Sequence, residues 1–159
     1  MAEGIEAGKT WILTGSLENF RINAKRGFDV IGFKERRRRQ AESMRPGDQI
    51  VFYVTRVQEF GGVARVKSEL YEDREPIWPG GPKVEAYPWR VDAEPLIVLE
   101  EQQFVPAIEL VGDLEHAAKW PAEHWQLAFQ GQLRTVGPAD ATLLRERIGA
   151  AAKSGAPLP

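Results

Sequence analysis

The chain contains no cysteine, which removes disulfide frameworks, thiolate metal sites and cysteine nucleophiles together. Histidine is almost as scarce. His116 and His124 are the only two and stand eight positions apart, without the i, i+4 spacing or neighbouring carboxylate motif of a metal pair. Both read as ordinary surface or hydrogen-bonded side chains. No run approaches the ~20 apolar residues of a membrane span, and the opening MAEGIEAGKTW lacks the apolar stretch of a signal peptide. The expectation is a soluble, cytoplasmic protein with no membrane partner.

Catalytic signatures are missing as well. There is no Gly-x-Ser-x-Gly, no P-loop, no Gly-x-Gly-x-x-Gly and no His–carboxylate cluster. The adjacent acids Glu72-Asp73 and Glu100-Glu101 read as surface charge. A non-enzymatic protein without cofactor or metal is expected.

What is present points to one domain. A length of 159 residues suits a single core, and 15 Gly with 11 scattered Pro favour short strands joined by turns over long helices. Charge is unevenly placed. Arg21 to Arg45 holds nine basic residues against three acidic, so this segment is +6 in a chain of net −2, leaving −8 elsewhere. The run Lys34 to Arg39 is open to two readings, a solvated helical face or an anion-binding surface.

Along the chain, residues 1–8 read as a disordered stub, 9–152 as the domain and 153–159 as a disordered tail. Lys9 to Thr14 reads as a buried strand, followed by a helix with Ser16 as N-cap, Leu17, Phe20 and Ala24 as its apolar face, and Gly27 as its stop. Phe28 to Phe33 is a short strand, and Lys34 to Met44 a basic helix. Arg45-Pro46-Gly47-Asp48 has the composition of a tight turn leading into the strand Ile50 to Thr55. Phe60 to Ser68 pairs with it as a hairpin in which Gly61-Gly62 marks a bulge or close approach. Tyr71 to Tyr87 reads as a long loop around Trp78. A strand from Pro88 to Leu99, a short helix over Pro121 to Phe129, a strand at Leu133 to Val136 and a helix from Pro138 complete the order. Such an order suggests a small barrel with helices plugging its ends.

Several of these segments, taken in register, resemble the EVE domain: Trp11-Ile12-Leu13-Thr14, Ser16-Leu17-Glu18-Asn19-Phe20, Met44 through Tyr53, and Gly61 through Val66. Pro76-Ile77-Trp78, Tyr87-Pro88-Trp89-Arg90-Val91 and His124 through Gly131 continue the same pattern over roughly Lys9 to Ile148. The fold this implies is α+β, mainly β: a PUA-like mixed β-barrel of about five to six strands flanked by helices. EVE domains are similar to YTH domains, PUA-like barrels that read N6-methyladenosine in RNA, and are linked to modified bases in DNA or RNA.

The resemblance implies a base pocket and a phosphate-binding face on a nucleic-acid-binding module. Thr14, Gly15 and Ser16 would meet the base edge, with Asn19 early in the first helix beside them. Ser16 as a helix cap and Asn19 as a plain first-turn residue remain open readings. Where the YTH relatives carry an aromatic wall, this chain has Val30 or Ile31, followed by Gly32 and Phe33. Phe33 fits either a substitute wall or the core. Trp78 is the expected aromatic wall, its alternative being a ring that pins the loop to the barrel. Trp11, Trp89, Trp120 and Trp125 read as core or helix anchors. Lys34, Arg36, Arg37, Arg38 and Arg39 would contact phosphates. Helical arginines point about 100° apart, so two or three of the four would face one strand. The base would come from a single strand or be flipped from a duplex. The competing readings are a small-molecule or hydrolytic pocket on the same barrel, or a protein-interaction module.

Overall fold

The computed structural model describes residues 8–79, 87–131 and 133–154. Its centre is a curled mixed sheet. Strand β1 (Thr10–Gly15) pairs in parallel with β3 (Gln49–Val54), placing Trp11 opposite Ile50 and Leu13 opposite Phe52, and antiparallel with β8 (Leu133–Val136). A parallel pair needs a crossover. Helix α1 (Leu17–Lys25) and strand β2 (Val30–Phe33) lie within it. Strand β4 (Glu59–Val66) returns antiparallel on β3, and β6 (Trp89–Val98) joins β4 to β2. The path is β2-β6-β4-β3-β1-β8, with the two-residue strands β5 (Tyr71–Glu72) on β6 and β7 (Val105–Pro106) on β4. The expected mainly-β barrel of five to six strands corresponds to the six strands of that path. The four-residue α2 (Arg38–Ala41) and the 17-residue α3 (Pro138–Ser154) complete the α-helices among the described residues.

The turn before β3 forms as its composition suggests. Gly47 has φ +97° and Asp48 N–H donates to Arg45 O at 3.0 Å. Asp48 itself is 2% exposed, and its carboxylate accepts from Lys9 N, Trp11 Nε1 and Arg45 N at 2.9 to 3.1 Å. One side chain thus ties the start of β1 to the start of β3.

The bulge expected at Gly61-Gly62 falls at Gly61. Phe52 pairs with Gly62 and Tyr53 with Phe60, which leaves Gly61 unopposed. Its hydrogen is necessary: a Cβ there would lie 2.7 Å from the Phe20 ring. Phe20 descends from α1 onto the sheet and meets Phe28, Phe52 and Phe104 at 5.3, 6.1 and 5.1 Å between centroids. Burying that one ring contributes roughly 1.5–3 kcal/mol and fixes α1 over the hairpin.

Three expectations are corrected. The basic segment is not one helix: Glu35–Arg37 forms a single 3-10 turn and Arg38–Ala41 one α turn. Like charges crowd its i, i+3 and i, i+4 positions, and only Ala41 and Met44 bury apolar surface, too little to hold a longer helix. On α1, Ala24 is exposed and Asn23 takes the buried position. At the C-terminal end α3 continues through Ser154, so Lys153 belongs to the helix. Its buried face carries Ala141, Leu144 and Ile148. The stub expected over residues 1–8 and the tail lie outside the described residues except for Gly8, Lys153 and Ser154.

Candidate nucleic-acid interface

A cleft of about 700 Å³ opens where the end of β1, the N-terminus of α1, β2 and the segment 129–131 converge. That volume lies within the usual range of ligand sites. Thr14, Gly15 and Ser16 line one side. Thr14 Oγ1 donates to Phe129 O at 3.1 Å, which draws the 129–131 segment against β1. The Gly15 carbonyl accepts from Thr55 N at 2.9 Å, and the Ser16 carbonyl from Phe20 N at 3.0 Å. Ser16 Oγ accepts from Asn19 N at 3.1 Å. It therefore caps α1 while lining the cleft, so the two readings of Ser16 coexist.

Asn19 faces the cleft from the first turn of α1. Its Nδ2 donates to Tyr87 Oη at 3.2 Å, whereas its Oδ1 is buried and has no partner. Unpaired buried acceptors are uncommon and costly. Asn19 lines a cleft whose described lining also holds four cations, Lys34, Arg36, Arg37 and Arg56, and no Asp, Glu or His.

Two aromatic rings form the far wall. Trp78 is 7% exposed, and its indole crosses directly above Gly32, where a Cβ would lie 2.5 Å from the ring. Trp78 Nε1 donates to Asn23 Oδ1 at 2.8 Å. The ring therefore both pins its loop and lines the cleft. Tyr87 meets it edge-to-face at 5.8 Å between centroids. Tyr87 has φ +50°, a left-handed conformation uncommon for a bulky residue. Arg90, 1% exposed, holds it there: Nε donates to Tyr87 O at 3.1 Å, and the guanidinium carbon stands 5.2 Å from the Trp78 ring centroid. At the back, Tyr53 stacks on Phe129 at 4.6 Å, and burial pushes its hydroxyl pKa up to about 12.

The sequence-derived site residues divide cleanly. Thr14, Gly15, Ser16, Asn19, Ile31, Gly32, Lys34, Arg36, Arg37 and Trp78 line the cleft. Val30 and Phe33 do not. Phe33 is fully buried in the core, the alternative the sequence left open for it. Val30 lies one residue too early on β2, where it pairs with Asp92 at the strand's start. Of the arginine run, Arg38 is turned aside. Its guanidinium lies 4.6 Å from the Trp89 ring centroid and its Nε pairs with Glu42 at 3.0 Å, while Trp89 Nε1 donates to Glu35. Arg39 is exposed and does not reach the cleft.

Sequence reasoning missed Asn23, Tyr87, Arg90 and the Gln130-Gly131 lining. Tyr87 and Arg90 stand in the segment that carried the family resemblance, so their signal was available. Asn23 gave none, because a polar residue on a helix looks solvated until its partner is known. The histidines fit their plain reading. His124 is exposed, and His116 is buried with Nε2–H donating to Ala128 O at 2.7 Å.

Comparison with known proteins agrees with this architecture. The EVE domain model matches residues 9–146. A UPF0310 protein of Pyrococcus abyssi is 28% identical over 118 residues, which cover 69% of this chain and 81% of that protein. Among solved structures, the YTH domain of mmi1 superposes with a TM-score of 0.64 at 12% identity, covering 92% of this chain and 99% of that one. A complex of mmi1 with RNA gives 0.66 at 13% identity, with 92% and 85% covered. A Rhodopseudomonas palustris protein solved by NMR gives 0.58 at 17% identity, with 89% and 94% covered. Matched to the family model over nearly its whole described length, this chain belongs to the EVE domain family.

Proposed function

We propose that this domain binds nucleic acid by seating one unstacked base in the cleft between Trp78, Tyr87 and Asn19, and that it acts by binding rather than by catalysis. The observation that carries the reading is one cleft lined together by Asn19, whose Oδ1 has no partner, by the Trp78 and Tyr87 rings, and by the cations Lys34, Arg36, Arg37 and Arg56. An acceptor in that position satisfies itself on an N–H at a base edge, while the rings supply the face on which bases and their methyl groups pack. Lys34, Arg36 and Arg37 stand where the sugar-phosphate backbone would leave the cleft, giving salt-dependent affinity without sequence selectivity.

The same lining supports a binding role. Its aromatic rings and cations are the groups that stack bases and pair with phosphates. That YTH domains of this fold occur in complex with RNA supports the nucleic-acid reading. Ile31 lines the cleft as an aliphatic contact where an aromatic was expected to be lost, and Tyr87 restores a second π-face. We infer a base carrying an exocyclic or ring N–H, with space for a small modification. An affinity panel of single-stranded and duplex DNA and RNA, plain or methylated on cytosine or adenine, tests this at two salt concentrations. Tighter binding of single strands, with one base or modification preferred, supports it; no binding at low salt overturns it.

A further inference from the structure

Beside the cleft lies a second concavity of about 350 Å³, lined by Arg37, Gln40, Gln130, Gly131, Leu133 and Arg134. Two guanidinium groups converge on it. A Cβ on Gly131 would lie 3.4 Å from Arg37 Nη2 and 3.8 Å from Arg134 Nη2, so these nitrogens are within about 7 Å of each other. Charges this close repel, and an acid between them would be the ordinary remedy. Among the described residues no carboxylate lies within 4.0 Å of either group.

Neutral groups hold both arginines instead. Arg134 Nε and Nη2 donate to Gln130 O at 2.9 and 2.6 Å, and its guanidinium carbon stands 5.6 Å from the Trp120 ring centroid. Arg37 Nη1 donates to Gln40 Oε1 at 3.3 Å, and Gln40 Nε2 donates to Leu133 O at 2.9 Å. Gln40 thereby braces Arg37 against β8, the strand that carries Arg134. Arg37 Nε is buried and has no acceptor. Gly131, with φ +82° and no side chain, leaves the space between the two cations open.

We propose that this concavity is a phosphate subsite, with Arg37 and Arg134 clamping one backbone phosphate of the strand whose base enters the cleft. Arg37, Gln130 and Gly131 line both concavities, which puts the clamped phosphate next to the inserted nucleotide. The inference rests on the base-cleft reading above. It adds Arg134, a residue far in sequence from the basic run. A phosphate offers acceptors to both guanidinium groups at once, and charge-assisted bonds of this kind are the strong ones.

The test compares the wild-type chain with Arg134→Gln and Trp78→Ala, by fluorescence anisotropy on a labelled single strand across a salt series. Arg134→Gln is expected to weaken binding roughly tenfold at low salt and to lower the log–log salt slope by about one. Unchanged affinity and slope in Arg134→Gln, with Trp78→Ala still weakened, overturns the subsite and leaves the base cleft standing. The reverse pattern overturns the base cleft, and with it the placing of the clamped phosphate beside an inserted nucleotide. Absence of strand binding by the wild type overturns both. A folding defect in Arg134→Gln is bypassed by following arginine Nε–H resonances of the ¹⁵N-labelled wild type during titration with inorganic phosphate. Shifts at both Arg37 and Arg134 support the clamp, and no shift at either overturns it.

Discussion

Trp78 donates its indole N–H to Asn23 Oδ1 at 2.8 Å, joining the loop after β5 to the buried face of α1. Asn19, one helical turn earlier, lines the cleft that Trp78 walls, and its Oδ1 has no partner. One helix therefore sets both the ring and the group that would read a base edge beside it.

Replacing Asn23 with Leu keeps the volume but leaves the Trp78 N–H buried without an acceptor. The expected cost is roughly 1–3 kcal/mol, read as a lower urea midpoint. Affinity for single strands should fall with it, because the ring loses its anchor. An unchanged midpoint would show that the bond contributes nothing.

Gly32 is where Trp78 crosses β2, and a Cβ there would lie 2.5 Å from the indole. Gly32→Val should displace the ring and reduce oligonucleotide affinity at least about tenfold, the scale of one lost base–aromatic stack. A shift in tryptophan emission should accompany the loss. Retained affinity would mean that Trp78 is not a wall of the binding site.

How much of this was legible in the sequence differs from element to element. The Pro46-Gly47 turn, the β3–β4 hairpin and the Ser16 cap are local patterns, and each formed where its residues pointed. Helix length at 34–44 was not legible, because helical stability there depended on burial that the charged segment could not supply. The cleft was half legible. Thr14, Ser16, Asn19 and Trp78 followed from family resemblance. Tyr87 is brought in by a left-handed backbone and a buried arginine, and Asn23 by a tryptophan 55 residues away. Val30 and Phe33 rest on a strand register that is legible from the residues only to within a position or so.

Asp48 is buried, accepts from three donors and links the starts of β1 and β3. Asp48→Ala strands all three and is expected to cost on the order of 3–5 kcal/mol. Much of a small domain's stability would go with it. Chemical denaturation followed by circular dichroism measures the loss. A change below about 1 kcal/mol would contradict this account of the strand junction.

Burial holds the His116 pKa below its ordinary value, with the hydrogen bond to Ala128 only partly opposing the shift. The folded state therefore binds this proton less readily than the unfolded state. His116 gives its full contribution above the unfolded pKa of about 6.5, and stability falls as pH drops from there toward the folded pKa. The variant His116→Gln, which retains a donor for Ala128 O, should flatten the decline in Tm between about pH 7.5 and 5.5. Parallel declines in the two proteins would contradict the assignment.

The central claim is that a base enters the cleft, and it is tested most directly by comparing a single strand with a strand of the same length whose sugars carry no bases. Both strands have the same phosphates, so salt-dependent contacts are common to them. The account predicts that the intact strand binds at least about tenfold more tightly, from stacking worth roughly 1–3 kcal/mol, and that Trp78→Ala erases the difference. Equal affinity of the two strands for the wild type would contradict it.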